Sequence, residues 1–423
     1  MQEKSVNVIQ RLRMRLLAFF TVFGPATITA ISDNDAAGVA TYSIAGAKLG
    51  YPILFPLVII TILLGVTQEM GMRLTLVTRR ALADLIREKF GVKASLLMFF
   101  CLFVANIGTI IVDLAAVKTA SSLLNLPTLP FILLILGIIY LFVTKGSFKL
   151  TQAIMLFSSL LFFAYIISAI KAKPDWGLAL SNLLYPNGVT FTSEYLKDFL
   201  IIGMGVLGTT ITPWGQFFVS SFSYDKDIEK GKIVYAQIET YVGAFLTNFF
   251  SFFMIVATAA TLFVNKIALT SGEQAVLAIK PFAGELASVL FAIGILNAGF
   301  MGIVIISLST AYAFSEFFGL SGSLDSSFKQ SRTFYLLFLL QITIALIGTL
   351  MPGISMFNVA IIAQTINAMA LPIVFIYLIK LGGDKSLMGA YTNTKLQKYF
   401  MITAAVVIFI ASIATIAAAL LGL

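Results

Sequence analysis

The stretch that decides the fold is GPATITAISDNDAAGVATYSIAGAKLGY, Gly24 to Tyr51. It has the length and apolar content of a membrane-spanning segment, yet Asp33, Asn34 and Asp35 stand near its middle. An ionised Asp at the centre of a bilayer costs about 2.5–3.5 kcal/mol on insertion scales, so it survives where it faces a water-filled cavity, a cation or a proton. Ala36, Ala37 and Gly38 are small, and an Asp-Asn-Asp run prefers turns to helix. The stretch therefore predicts a helix interrupted after its first half. Unwinding frees backbone carbonyls, and the half-helix before the break aims the negative end of its dipole at it. Carboxylate, free carbonyls and a negative dipole end together describe a cation site, with Asp33, Asn34 and Asp35 as candidate ligands. Either Asp33 or Asp35 can face the pathway. The competing reading is two short helices joined by an exposed acidic loop, but residues 17–32 alone are too few to span well.

Composition carries the membrane reading through the whole chain. The 423 residues are 59% hydrophobic and 11% charged, with a mean hydropathy of +0.99; a soluble domain has about 45–50% apolar and about 25% charged residues. A net charge of +9 could suggest nucleic acid. Basic residues that set orientation from cytoplasmic loops explain it better, and no nucleic-acid partner is expected. One cysteine, Cys101, excludes an internal disulfide and a multi-cysteine metal site. The absence of histidine excludes imidazole ligands, an imidazole triad and an imidazole proton relay. The start, MQEKSVNVIQRLRMRLLAFFTVFGP, resembles a signal peptide but has no small-x-small cleavage site, so it reads as a retained first helix.

Segments long and apolar enough to span lie near 17–46, 52–76, 95–122, 129–146, 150–171, 196–221, 232–264, 283–317, 333–350, 356–380 and 399–421, eleven in all. Between the second and third lies RRALADLIREKFG, amphipathic and too charged to span. With the N-terminus cytoplasmic, the great majority of the 28 Lys and Arg fall on inner loops, which predicts that orientation. The sixth segment carries a second polar break, GTTITPWG, Gly208 to Gly215, five helices after the first. An odd number of helices per copy inverts the second copy in the membrane. Interrupted segments at matching positions of two halves point to a substrate site at the bilayer midplane. The expectation is an all-α membrane protein built as a single transporter domain over 1–423. Its first repeat covers 17–172, its inverted second repeat 195–380, and an extra helix 398–423.

In the second break, Pro213 deprives the Thr209 carbonyl of its donor, and Thr210 and Thr212 add hydroxyl oxygens. In the third segment Asp113 is buried, with no partner expected in its own helix. Lys118, five residues on, is not its face-to-face neighbour and can snorkel outward. Asp113 reads equally as a proton carrier or a structural acid. Glu69 and Glu239 fall nearer the cytoplasmic ends, solvated or paired, with Glu239 a second proton-pathway candidate. In the tenth segment Gln364 and Asn367 reach the interior, as ligands or as interhelical hydrogen-bond partners. Every candidate ligand is oxygen, and neither break holds a Met, which suits hard cations such as Mg²⁺ and Mn²⁺.

With these residues in view, the chain resembles the NRAMP (natural resistance-associated macrophage protein) metal-transporter family, whose members have the LeuT fold and import divalent metals, usually with protons. GVATYSIAGAKLGY is similar to the stretch that follows the family's Asp-Pro-Gly-Asn motif, and QEMGMRLTLVTRRALADLIREKFG, Gln68 to Gly91, matches its second helix and following amphipathic helix. GTTITPWG occupies the place of the family's Met-Pro-His motif, and AQTINAMALP matches its tenth helix. The resemblance implies Asp35 as the metal-binding Asp and Gln364 as a ligand of occluded states. Four departures accompany it. The Asp-Pro-Gly-Asn motif reads Asp35-Ala36-Ala37-Gly38; Thr212 replaces the Met; Trp214 replaces the His; and Ala116 follows Asp113 where the family has Glu. The implied branch lacks the soft ligand, and some members of it resemble Mg²⁺ transporters.

The leading expectation is a secondary transporter, not an enzyme, that brings Mn²⁺ or Mg²⁺ into the cytoplasm by alternating access. Asp35 supplies charge, Thr212 an oxygen, and the Thr209 carbonyl and Gln364 amide the remainder, with proton coupling open. It is expected in the plasma membrane, as a monomer in the lipid bilayer, without a cofactor. An amino-acid permease on the same fold is the alternative, although such a substrate's carboxylate usually meets no fixed acid. An intramembrane aspartyl protease using Asp35 and Asp113 is the remote one, since neither acid is flanked by the motifs such enzymes carry.

Overall fold

A bilayer offers backbone groups no water, so an apolar chain crosses it as helices. The computed structural model is accordingly all-α, and it describes residues 19–421 apart from Gly146 and Ser321. The first residues of the leading segment and its basic flank lie outside the described residues. Among the described residues ten helices are long and apolar enough to span: Tyr51–Thr78, Leu82–Leu123, Thr128–Lys145, Lys149–Lys171, Ser193–Asp225, Lys230–Phe263, Gly284–Phe318, Arg332–Thr349, Met356–Gly382 and Lys395–Ala418. The leading segment adds an eleventh crossing in two pieces, α1 (Pro25–Ser32) and α2 (Ala36–Leu49), separated at Asp33–Asp35. The competing reading of an exposed acidic loop is not seen, because Asp33, Asn34 and Asp35 are all at most 2% exposed.

From there the chain runs through α3 (Leu54–Thr78), α4 (Leu82–Leu123), α5 (Thr128–Lys145), α6 (Phe148–Ser158) and α7 (Phe163–Lys171). The amphipathic stretch is not separate from the third span. Both belong to α4, which bends where Gly91 adopts φ 81° and ψ 177°, a conformation that residues with a Cβ rarely take. The loop after α7 holds a short helix, α8 (Trp176–Ser181), capped by Asp175.

The sixth span is again two helices, α9 (Ser193–Thr210) and α10 (Pro213–Asp225). Proline here does not kink a continuous helix; it opens a new one. It sits at the first position of α10, where its missing N–H is no loss, and Thr212 caps the turn. The second half continues with α11 (Ile233–Thr258), the loop helix α12 (Gly272–Ala283), α13 (Ala287–Phe318), α14 (Arg332–Thr349) and α15 (Met356–Gly382). A short α16 (Lys385–Met388) leads to the last helix, α17 (Lys395–Leu421).

The helices around the two breaks pack at backbone distance. A Cβ on Gly208 of α9 would lie 1.8 Å from the Gln364 carbonyl of α15, and one on Gly302 of α13 would lie 2.2 Å from the Asp113 carboxylate of α4. Small residues let membrane helices approach this closely, and van der Waals packing then holds them, because lipid supplies no hydrophobic drive between helices. At one end of α3, Glu69 and Arg73 form a buried ion pair with Nε–Oε1 at 2.6 Å. The pair is not isolated. Gln237 of α11 and Gln397 of α17 donate to Glu69, while Arg73 donates to the Tyr391 carbonyl and to Asn393. Removing one partner of such a pair costs about 3–5 kcal/mol, so this network ties α17 and the loop before it to α3 and α11.

Candidate metal site

The two breaks face each other. Thr212 Oγ1 donates to Asp33 Oδ1 at 3.2 Å, joining the second break to the first. The same Thr212 oxygen accepts from the backbone N–H of Gly215 at 3.1 Å, so it also caps α10. Asp35 caps α2 in the corresponding way, with Oδ1 accepting from Gly38 N at 2.6 Å. Asx and Ser/Thr side chains take this position because helix N-termini leave amides unpaired. The half-helices therefore begin at Asp35 and Thr212, and their positive ends point into the break along with the carboxylates.

The first break frees fewer carbonyls than unwinding predicts. Asp33, Asn34 and Asp35 turn their own N–H groups back onto Ala30, Ile31 and Ser32 at 3.2, 3.0 and 3.1 Å, so the end of α1 is satisfied by a tight turn. In the second break the Thr209 carbonyl lacks its helical donor because residue 213 is proline. The Thr209 hydroxyl is buried and has no protein partner either. Thr210 turns elsewhere, its hydroxyl bonded to Val206 O and to the Tyr42 hydroxyl at 2.7 Å.

Asn34 belongs to the scaffold. Its amide donates to Thr247 O and Oγ1 at 3.1 and 2.8 Å, and its carbonyl accepts from Ser251 Oγ at 3.0 Å, all on α11. Thr247 and Ser251, four residues apart on one helix face, escaped the sequence reading; two hydroxyls at that spacing are ordinary in spanning helices. Asp113 does find a partner, on another helix. Its Oδ1 accepts from Ala36 N and Ala37 N at 3.1 and 3.4 Å, so α4 supplies a second cap to α2. Its Oδ2 has no protein partner.

Gln364 lies fully buried on α15, with Oε1 accepting from Asn367 Nδ2 at 2.7 Å and Nε2 unpartnered. Asn367 in turn donates to Thr109 of α4 at 2.9 Å. A carbonyl oxygen has two lone pairs, so Gln364 Oε1 keeps one for a ligand. Trp214 is buried, its carbonyl accepting from Ser309 of α13 at 2.9 Å and its indole N–H unpartnered. Indole offers no lone pair to a cation or proton, so this position cannot do what an imidazole would.

Glu239 stands apart from this group. Its Oε1 accepts from Gly24 N and Thr27 N at 2.7 and 2.9 Å, closing the N-terminal end of α1. Lys226 Nζ donates to Val22 O at 2.9 Å and to Phe23 O, and Gln152 donates to Phe23 O at 2.9 Å. One end of α1 is thus held from three sides. Among the described residues no three His, Cys, Asp or Glu side chains come close enough together to hold a metal ion. What the breaks assemble is a buried cluster of oxygens from Asp33, Asp35, Thr209 and Thr212, each at most 2% exposed, with the Asp113 carboxylate against the first turn of α2.

The comparisons with known proteins agree with this architecture. A family model described as "Natural resistance-associated macrophage protein-like" matches residues 26–418. The chain is 24% identical over 415 residues to a divalent metal cation transporter MntH of Erwinia tasmaniensis, covering 94% of this chain and 93% of that one. It is 26% identical over 399 residues to an MntH of Mesorhizobium japonicum, covering 89% and 83%. Among solved structures, the Eremococcus coleocola manganese transporter, in complex with an aromatic bis-isothiourea substituted compound, superposes with a TM-score of 0.80 at 17% identity, over 99% of this chain and 91% of that one. MhsT in complex with L-phenylalanine superposes at 0.62 and 15% identity, over 95% and 97%. The fold is the LeuT type, with two broken helices at its centre.

Proposed function

The chain belongs to the natural resistance-associated macrophage protein-like family, and from that premise we propose that it carries divalent metal cations, Mn²⁺ or Mg²⁺, across the plasma membrane into the cytoplasm by alternating access. The observation that carries the reading is the junction of the breaks, where Asp33 and Asp35 are buried, Asp33 against Thr212, and among the described residues neither forms a salt bridge. A buried, uncompensated pair of carboxylates is costly, and a dication removes the cost. Asp35 supplies charge, the Thr209 carbonyl and Gln364 Oε1 supply neutral oxygens, and water fills the remaining positions. Mg²⁺ dehydrates reluctantly, so a site with few protein ligands suits it. An amino-acid substrate would bring its own carboxylate against two fixed ones, which disfavours the permease reading.

Proton coupling is not part of this proposal. Asp113, the acid nearest the break, is engaged as a cap; residue 116 is Ala; and the chain has no histidine. The test is Mn²⁺ uptake into proteoliposomes with millimolar Mg²⁺ as competitor and an internal pH dye. Inhibition by Mg²⁺ with a silent dye is the expected outcome. Uptake indifferent to Mg²⁺, with an acidifying lumen, would show a proton-coupled Mn²⁺ carrier. No uptake of either ion would refute the transport reading.

A further inference from the structure

On the flank of the bundle, a cavity of about 150 Å³ lies between α7, α12 and α13. Its rim residues Leu161, Leu290 and Ile293 are exposed on the surface that a bilayer surrounds. Its floor holds Ser168, 1% exposed, whose hydroxyl has no protein partner. Hydroxyls such as those of Thr61 and Thr119 bond the carbonyl four residues back in their helices. That of Ser168 does not, so an apolar chamber contains a free donor. Depth indicates what meets it. The span Lys149–Lys171 has 23 residues, about 35 Å, slightly longer than a hydrocarbon core of about 30 Å. Ser168 stands about 4.5 Å from the Lys171 end, at the edge of that core, where phospholipid esters lie. Leu161 stands about 15 Å from the same end, at acyl-chain depth. Lys171, and Lys280 next to Ile279 of the cavity wall, are exposed and form no salt bridge among the described residues. The acids nearest to them in sequence are Glu285, in the turn before α13, and Asp175, engaged as the cap of α8.

We propose that this flank binds one phospholipid. An ester carbonyl accepts from Ser168, the upper part of an acyl chain fills the cavity, and the phosphate lies at Lys171 and Lys280. The polar contacts carry the preference. Lipid tails are as apolar as leucine, so apolar walls alone do not favour one bound lipid over the surrounding bilayer. A hydroxyl left without a partner in hydrocarbon is costly, and an ester oxygen removes that cost. The two ammonium groups add attraction for the phosphate. The seated chain also comes close to the transport helices. Tyr165, Ile279 and Phe291 line both this cavity and a smaller one, about 10 Å³, that borders Ser43 of α2 and Thr258 of α11. The lipid braces α12 against α7 and α13, with Tyr165 and Phe291 between it and the second half of the first broken helix. The site is independent of which ion the protein carries.

The experiment is native mass spectrometry of the full chain in detergent micelles, titrated with phosphatidylglycerol, phosphatidylcholine or diacylglycerol. The proteins are wild type, Gly294→Leu, Ser168→Ala, the double variant Lys171→Gln with Lys280→Gln, and Gly137→Leu. Gly294 lines the cavity, and a Cβ there meets nothing within 4 Å, so leucine enters the space of the acyl chain without striking the wall. Leucine is also the better helix former, so the Tm of Gly294→Leu should hold or rise. Wild type should retain one phospholipid per chain. Gly294→Leu should weaken retention at least tenfold, and Ser168→Ala and the lysine variant a few-fold each. Gly137 of α5 is equally open, and Gly137→Leu should retain the lipid as wild type does. Equal retention of the two phospholipids, with diacylglycerol weaker, supports recognition through the shared phosphate. Wild-type retention in Gly294→Leu overturns the proposal, and so does an equal loss in Gly137→Leu, which marks ordinary surrounding lipid. Diacylglycerol held as tightly as the phospholipids, or no change in Ser168→Ala and the lysine variant, gives the cavity to a bare chain and refutes the phospholipid assignment.

Discussion

Gly38→Ala tests the geometry of the break with the smallest available perturbation. The added methyl would sit 2.3 Å from the Asp33 carbonyl, where ordinary contact begins near 3.4 Å, so Asp33 must retreat by roughly 1 Å. Overpacking of this kind costs about 1–3 kcal/mol. Alanine recovers about 1 kcal/mol over glycine inside a helix, which leaves a net destabilisation of about 0–2 kcal/mol. The effect on the cation should be larger than the effect on the fold. Oxygen ligands hold Mg²⁺ at about 2.0–2.1 Å, so a shift of roughly 1 Å removes a ligand outright. Losing about 1.4 kcal/mol of binding is a tenfold change in affinity, and that is the smallest loss expected here. The assay is a Mn²⁺ concentration series in proteoliposomes together with Tm on the same preparations. Gly38→Ala should raise KM at least tenfold with a small change in Tm. Gly137→Ala is the control, since nothing lies within 4 Å of its added methyl, and it should leave both unchanged or raise Tm. A Gly38→Ala protein with wild-type KM would show that Asp33 does not need to lie over α2, and the reasoning would fail.

Three further outcomes are expected. Asp113→Asn keeps an oxygen for Ala36 N and Ala37 N and should retain most uptake, whereas Asp113→Ala loses the cap, worth about 0.5–2 kcal/mol, and much of the uptake; an inactive Asp113→Asn would give Asp113 a role through its charge or proton. Glu239→Ala strips the acceptor from Gly24 N and Thr27 N and should cost about 1–3 kcal/mol, read as a lower Tm, with Glu239→Gln costing less; equal Tm in all three would contradict the role assigned to that carboxylate. Burial pushes the Lys226 ammonium down from 10.5 to about 8, against the pull of Glu239. Between about pH 8 and 10.5 the unfolded chain therefore holds a proton that the folded one has released, so this group adds stability as pH rises through that window. Lys226→Met should remove that increment from the Tm–pH profile, and an unchanged profile would count against it.

How much was legible beforehand follows from what each inference required. Eleven crossings needed only hydropathy, because the bilayer dictates segment length and forbids unpaired backbone. Both breaks needed only local chemistry: Asp-Asn-Asp before three small residues, and Thr-Pro in a polar run. The expectation that they are inverted relative to each other came from counting helices. The bend at Gly91 was harder, since a left-handed glycine inside a helical pattern looks like any other glycine until its φ is known.

What the sequence by itself determined is therefore the helical architecture, the two broken helices and the lack of His and Met in both breaks. All of these depend on residue type and spacing along one chain. What only the tertiary structure decided is the division of labour among the polar residues in the breaks. Asn34 braces α11, Asp113 caps α2 from another helix, Glu239 holds the end of α1, and Asp33 meets Thr212. Those roles are contacts between positions 77 to 217 residues apart. A side chain has a fixed number of donors and acceptors, so which of these residues keeps an oxygen free for a cation depends on which neighbours have claimed the others.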